Sequence, residues 1–212
     1  MEPLMPKTQP WKFNIKKPLI VSASLALFLS CSTDLLADDV TDQIDEAVKA
    51  YGKEDYNTAI TALDSASTLI RQKKGELVSK LLPEPLEGWE ADDGKSSAAA
   101  AGMFGGGISA ERRYTRKAEG NIENVTISIT TDSPLMQSMG MMFSNPMFMG
   151  QDNKLIVISG EKAIANERDN SLTSMVANKV MVKIDGDKKV SSETLKEYFN
   201  SIDFKAIKDY AN

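Results

Sequence analysis

The chain has 212 residues, 42% hydrophobic and 26% charged, with 25 basic and 30 acidic side chains, one cysteine and no histidine. This is the composition of an ordinary globular protein of one or two domains. It excludes a Ser-His-Asp triad, a histidine-ligated zinc or haem, and an imidazole base.

Lys12, Lys16 and Lys17 precede an apolar run from Pro18 to Leu29, after which Ser30 to Ala37 turns small and polar. This three-part pattern is that of a secretory signal peptide over residues 1–37. The apolar run is too short to cross a hydrocarbon core at about 1.5 Å per residue. Cleavage after Ala37 predicts a periplasmic chain beginning at Asp38. Ser30-Cys31 resembles the end of a bacterial lipobox, which makes a lipid anchor on Cys31 the alternative, although Phe28 and Leu29 stand where that pattern wants an aliphatic and then a small residue. Removing residues 1–37 takes away four lysines, two acids and the cysteine, leaving 21 basic and 28 acidic residues and a net charge of −7. Cysteine nucleophiles, disulfides, iron–sulfur clusters and thiolate zinc sites then disappear. The acidic balance argues against nucleic acid as a partner.

Residues 38–82 predict a helical hairpin. Ile44, Ala47, Val48 and Tyr51 fall at i, i+3, i+4 and i+7, Gly52 to Asp55 breaks the pattern, and Tyr56, Ala59, Ile60, Leu63, Ala66 and Ile70 resume it. Pro83, Pro85 and Gly88 interrupt the chain, so 83–107 reads as a linker, with 94–107 a small-residue mobile loop anchored only by Met103 and Phe104. Residues 108–212 predict a sheet with helices on it. Val125, Ile127 and Ile129 alternate with polar residues, Lys154 to Ser159 is a short strand, and Val176, Val180, Val182 and Ile184 share one parity. Hairpin turns are expected at Glu119-Gly120, Ser159-Gly160 and Asp185-Gly186. One helix is expected to start at Ser133-Pro134, as N-cap and first residue, and to stop at Asn145-Pro146. Another follows Ser191-Ser192, presenting Leu195, Phe199 and Ile202. The fold class is therefore α+β, an N-terminal helical hairpin followed by an antiparallel sheet with helices packed on it.

The stretch "AVKAYGKEDYNTAITALDSA" resembles one tetratricopeptide unit, with Ala47, Gly52, Tyr56, Ala59 and Ala66 in the matching places. A single unit cannot bury a solenoid core, so a helical pair docked on the rest of the chain is expected. "LLPEPLEGWEADDG", "AAAAGMFGGG", "ERRYTR", "TDSPLMQSMGMMFSNPMFMG" and "SIDF" resemble a set of exported bacterial proteins of unassigned activity. The element order is also similar to that of PsbP-like accessory domains. These resemblances imply export and an accessory role, and no activity or cofactor.

Met136, Met139, Met141, Met142, Met147 and Met149 put six of the 11 methionines into 14 residues, beside Phe143 and Phe148. Methionine is a flexible apolar filler, so a helix face packed on the sheet is one reading and an adaptable groove for an apolar ligand or envelope partner is another. On the second reading the contact surface is Met136, Met139, Met142, Phe143, Met147, Phe148 and Met149 together with Met103 and Phe104. Thioether chemistry leaves a copper(I) option at Met139, Met142, Met147 and Met149, without histidine to complete it. Arg112, Arg113 and Arg116 are candidates for an anionic contact, although strand alternation points Arg112 and Arg113 to opposite faces.

Three motifs test enzymatic readings. Gly94-Lys95-Ser96 imitates a phosphate loop, but the spacing from Gly88 is one residue too long and Asp92-Asp93 would repel phosphate. Ser159 and Lys162 form a bare S-x-x-K without its companion elements, and Asp92/Asp93 and Asp185/Asp187 read as turn carboxylates. The expected function is non-catalytic binding or assembly in the cell envelope, with a small hydrolase using Ser, Lys or carboxylates as the alternative.

Overall fold

The computed structural model describes residues 38–97, 107–118, 120–145 and 149–212. The described residues form one compact unit. Helix α1, Asp39–Tyr51, starts where the Asp38 side chain accepts the Val40 N–H, and α2, Tyr56–Ser79, starts where Asp55 accepts the Thr58 N–H. These caps satisfy backbone donors that the first helical turn leaves free. The two helices pack through Ala47, Ala50, Ala59, Ala62 and Ala66, all buried, and such small side chains let helix axes approach closely. Lys73 returns to Asp38 at 3.0 Å, closing the hairpin.

Beyond α2 the chain leaves the helix through a turn, makes a second turn in which the Trp89 N–H donates to the Leu86 carbonyl at 3.0 Å, and buries Leu82 and Trp89. It then supplies two short strands, β1 (Glu90–Ala91) and β2 (Lys95–Ser97), both antiparallel to β3 (Ile108–Ala118). The stretch read as a linker thus contributes the split edge of the sheet, and residues 98–106, with Met103 and Phe104, lie outside the described residues. β3 pairs with β4 (Asn121–Thr131), which pairs with β8 (Val180–Gly186). From β8 the sheet runs outward through β7 (Ser171–Val176), β6 (Glu161–Asn166) and β5 (Asn153–Ile158), every pairing antiparallel. Helix α3, Leu135–Ser144, joins β4 near the centre of the sheet to β5 at its far edge.

One face of the sheet is apolar. Tyr114, Val125, Ile127, Ile129, Val180, Val182 and Ile184 are buried on it beneath Val78 of α2, Leu195, Tyr198 and Phe199 of α4 (Ser192–Ser201), and Ile207 of α5 (Phe204–Ala211). Burial of such side chains contributes about 1.5 to 3 kcal/mol each. The architecture is α+β, as the periodicities predict.

Three local expectations need correction. Asp185-Gly186 is not a hairpin turn, because Gly186 ends β8 opposite Val125. A Cβ on Gly186 would stand 2.9 Å from Leu195 and 3.2 Å from Val190, so this glycine permits close packing and does not turn the chain. The β7–β8 turn instead uses Ala177 and Asn178 at φ 51° and 54°, a left-handed pair without glycine that gives little sequence signal. Pro134, not Ser133, occupies the N-cap of α3, and among the described residues no side-chain hydrogen bond caps that helix. Helix α5 was not expected from the pattern after Ile202.

A candidate cleft beneath helix α3

Strand alternation makes the second face of the sheet polar where the first is apolar. The pairings align Glu111 with Ser128, Ser128 with Lys183 and Lys183 with Thr173. They likewise align Ser109 with Thr130 and Thr130 with Met181. On leaving β4 the chain turns into α3 and buries Met136 to 5% exposure. Met136 and Ser133 close one end of a cleft of about 400 Å³ whose floor is Ser109, Glu111, Ser128, Thr130, Thr173, Met181, Lys183 and Asp185.

The polar groups of the cleft differ in how they are committed. Lys183 and Asp185 pair at 2.6 Å, and the Ser109 and Thr130 hydroxyls share a 3.1 Å hydrogen bond. The side chains of Glu111, Ser128 and Thr173 make no hydrogen bond or ion pair among the described residues. Met136 and Met181 therefore share the cleft with a carboxylate and two hydroxyls that remain uncommitted among the described residues.

A second cavity of about 670 Å³ shares Ser133 and Met136 and lies against Lys74, Asn178 and Tyr210. Its cations are committed within the fold: Lys74 pairs with Asp132 at 2.7 Å, and Lys179 donates to the Ala211 carbonyl at 2.7 Å. The hydrogen bond to Asp132 raises the Lys74 ammonium above its ordinary range. Its charges satisfied internally, this groove offers less to a ligand than the sheet-face cleft.

The methionine-rich stretch is divided by the structure. Met136 is buried, Met142, Phe143 and Met149 are half-buried, and Met141 is exposed. Met147 and Phe148 lie outside the described residues, as does the side chain of Met139; the copper(I) option involves both Met139 and Met147. Among the described residues no group of three Asp, Glu, His or Cys side chains is arranged to hold a metal ion.

The arginines do not converge. Arg113 is exposed, while Arg112 lies on the apolar side, donating to the Pro83 carbonyl at 3.2 Å and approaching Glu84 at 3.8 Å. Arg116 forms a fork to Glu123 at 2.6 and 2.8 Å and lies 4.6 Å over the Trp89 ring. Two of the three guanidinium groups thus hold the "LPEPLEGW" segment and β4 in place.

Gly94-Lys95-Ser96 leads into strand β2 and not into a helix N-terminus, so it lacks the amide cradle of a phosphate loop. Ser159 sits in the β5–β6 turn at φ 50° and donates to Asn200 at 2.7 Å. Asp187 accepts from the Asn124 and Lys189 amides, at 3.0 and 2.9 Å, and does not pair with Asp185.

Sequence reading missed Ser128, Thr173, Met181 and Lys183 as cleft residues. The alternation that puts Ser128 in "TISIT", Thr173 in "SLTSMV" and Met181 and Lys183 in "VMVKID" opposite the apolar parity was visible, but only the strand order places them side by side. Fold and cleft together define an α+β protein with a polar-floored, methionine-lined site on the open face of its sheet. No family model, no curated protein and no solved structure matches the chain.

Proposed function

We propose that the protein is a non-catalytic binding or assembly protein of the bacterial cell envelope, taking an apolar ligand or partner segment against its Met/Phe-rich stretch. One observation carries this reading: Met136 and Met181 share a cleft with Glu111, Ser128 and Thr173, whose side chains are uncommitted among the described residues. Thioethers adapt to ligand shape, and a few polar groups at one place fix orientation. The fitting occupant is an amphiphile, with an apolar body on the methionines and a hydrogen-bond donor for Glu111. The envelope location is supported by the lysines before the Pro18–Leu29 run and the small polar stretch ending at Ala37. The resemblance of "LLPEPLEGWEADDG" and the other stretches to exported bacterial proteins supports the same placement. Among the described residues no helix is long and apolar enough to cross a membrane.

The test is native mass spectrometry on protein exported by a bacterial host and purified gently, followed by titration with N-phenyl-1-naphthylamine as an apolar fluorescent probe. A mass beginning at Asp38 supports periplasmic release, and a diacylglycerol adduct on Cys31 replaces it with an anchored form. The probe is expected to bind wild type, and Met181→Asp is expected to weaken it by about tenfold or more. No probe binding, or equal binding by wild type, Met181→Asp and Met136→Asp, overturns the cleft as the contact surface.

A further inference from the structure

The helical hairpin is built with its small residues inside and its large apolar residues outside. On α1, Ile44, Val48 and Tyr51 are exposed by 39%, 66% and 68%. On α2, Tyr56, Ile60, Leu63, Ile70 and Leu77 are exposed by 49% to 58%. Helical spacing gathers each set into one stripe, at i, i+4 and i+7 on α1 and with a seven-residue repeat from Tyr56 to Leu77 on α2. The Tyr51 and Tyr56 rings meet edge to face at 5.8 Å across the interhelical turn, so the two stripes form one continuous surface. Elsewhere on the hairpin, Gln43, Thr61, Asp64, Ser65, Thr68 and Leu69 line a separate groove with few large apolar side chains.

We propose that a second copy of this chain covers the apolar side, the two α2 helices crossing antiparallel about a two-fold axis. Area is the first argument. Eight half-exposed side chains of about 100 Å² each offer roughly 800 Å² per copy, which is what one partner of a stable interface buries. The α2 repeat is the second argument. An antiparallel crossing centred between Leu63 and Ile70 sets Leu63 of each copy on Ile70 of the other and Tyr56 on Leu77, the self-complementarity that a two-fold interface requires. A seven-residue apolar repeat is also the period at which two helices keep one seam in contact.

Charge is the third argument. Asp64 lies one turn after Ile60, between the stripe and that groove, and Arg71 lies one heptad further on; neither has an ion pair among the described residues. The antiparallel crossing brings Asp64 of each copy toward Arg71 of the other, twice, whereas a parallel crossing sets like charges together. Exposed pairs of this kind contribute orientation more than affinity.

The experiment is sedimentation velocity of the purified chain across a roughly hundredfold concentration range, where a reversible dimer changes its weight-average mass. Twice the chain mass at high concentration, dissociating on dilution, is expected. Leu63→Glu and Ile70→Glu are each expected to raise the dimer dissociation constant by about tenfold or more. Circular dichroism should stay unchanged, because both side chains are exposed. Asp64→Arg and Arg71→Asp should each weaken association and the double exchange should restore it, which an unrelated contact surface would not do. A monomer at every concentration, a dimer indifferent to Leu63→Glu, or a double exchange that fails to restore association overturns the proposal. A peptide or lipid bound to a permanently monomeric chain counts among the overturning results. The naphthylamine titration reads the sheet-face cleft, so failure of one proposal leaves the other standing.

Discussion

The Tyr114 hydroxyl donates a 2.7 Å hydrogen bond to the Pro83 carbonyl oxygen, tying the middle of β3 to the start of the "PEPLEGW" segment. Arg112 donates to the same carbonyl, and Trp89 at the end of the segment packs edge to face on Tyr198 at 5.3 Å. The proline-rich stretch is therefore a clasp between helix and sheet. Tyr114→Phe should destabilise the protein by about 1 to 2 kcal/mol by leaving that buried carbonyl with fewer donors. Tyr198→Phe should change stability by less than about 0.5 kcal/mol or raise it, because among the described residues the buried Tyr198 hydroxyl makes no hydrogen bond of ordinary geometry. Urea denaturation of the two variants checks the contrast.

The same tyrosine sets an alkaline limit. Burial pushes the Tyr114 phenol up to about 12, whereas an unfolded tyrosine titrates near about 10. The fold favours the neutral form, so this contribution is complete below about pH 10 and is lost as pH rises through about 12. Burial raises Tyr198 as well. Stability should fall across that window in wild type and fall less steeply in Tyr114→Phe, as read by denaturant midpoints at stepped pH.

An acid limit is expected from Asp187. Burial opposes its charge, but the Lys189 and Asn124 amides outweigh that effect and hold its carboxyl below the usual value of 3.8. Its contribution is thus present above about pH 4 and is lost as pH falls below it. Asp187→Asn should cost about 1 to 3 kcal/mol at neutral pH and flatten the acid limb of a stability profile.

Gly186 should be intolerant for a reason unlike that of Gly120. A Cβ at Gly186 meets Leu195 at 2.9 Å and Asn170 at 3.0 Å, whereas Gly120 has open space and φ +81°. Leu195 is buried and has little room to yield, so Gly186→Ala should cost about 1 to 3 kcal/mol by overpacking. Gly120→Ala should cost about 1 kcal/mol through backbone conformation alone. Thermal melts of both variants separate the two causes.

Arg116 stacks over Trp89 while gripping Glu123. Arg116→Ala should cost about 1 to 2 kcal/mol, and Arg116→Lys should recover only part of it, because an ammonium keeps the charge without the planar fork. Trp89 fluorescence follows the transition in a chain cut after Ala37, the other tryptophan being Trp11.

Local periodicity by itself determined α1, α2, α4 and the buried parity of β4 and β8, because burial of one helix face or one strand face repeats every 3.6 or 2 residues within a few residues of chain. The same alternation foretold that Arg112 and Arg113 part company. It did not foretell that Arg112 would be committed to Pro83 or Arg116 to Trp89, since those partners lie far away in sequence. Only the tertiary structure decided that β4 pairs with β8, that Gly186 serves packing, and that Met136 closes a cleft floored by Ser128 and Thr173. Strand order depends on which faces the helices cover and on registers between distant segments. The exposed stripe of the hairpin is the sharpest case: the pattern marks Ile60 and Leu63 as core, yet α1 needs only alanines to pack on α2 and leaves the large side chains facing outward.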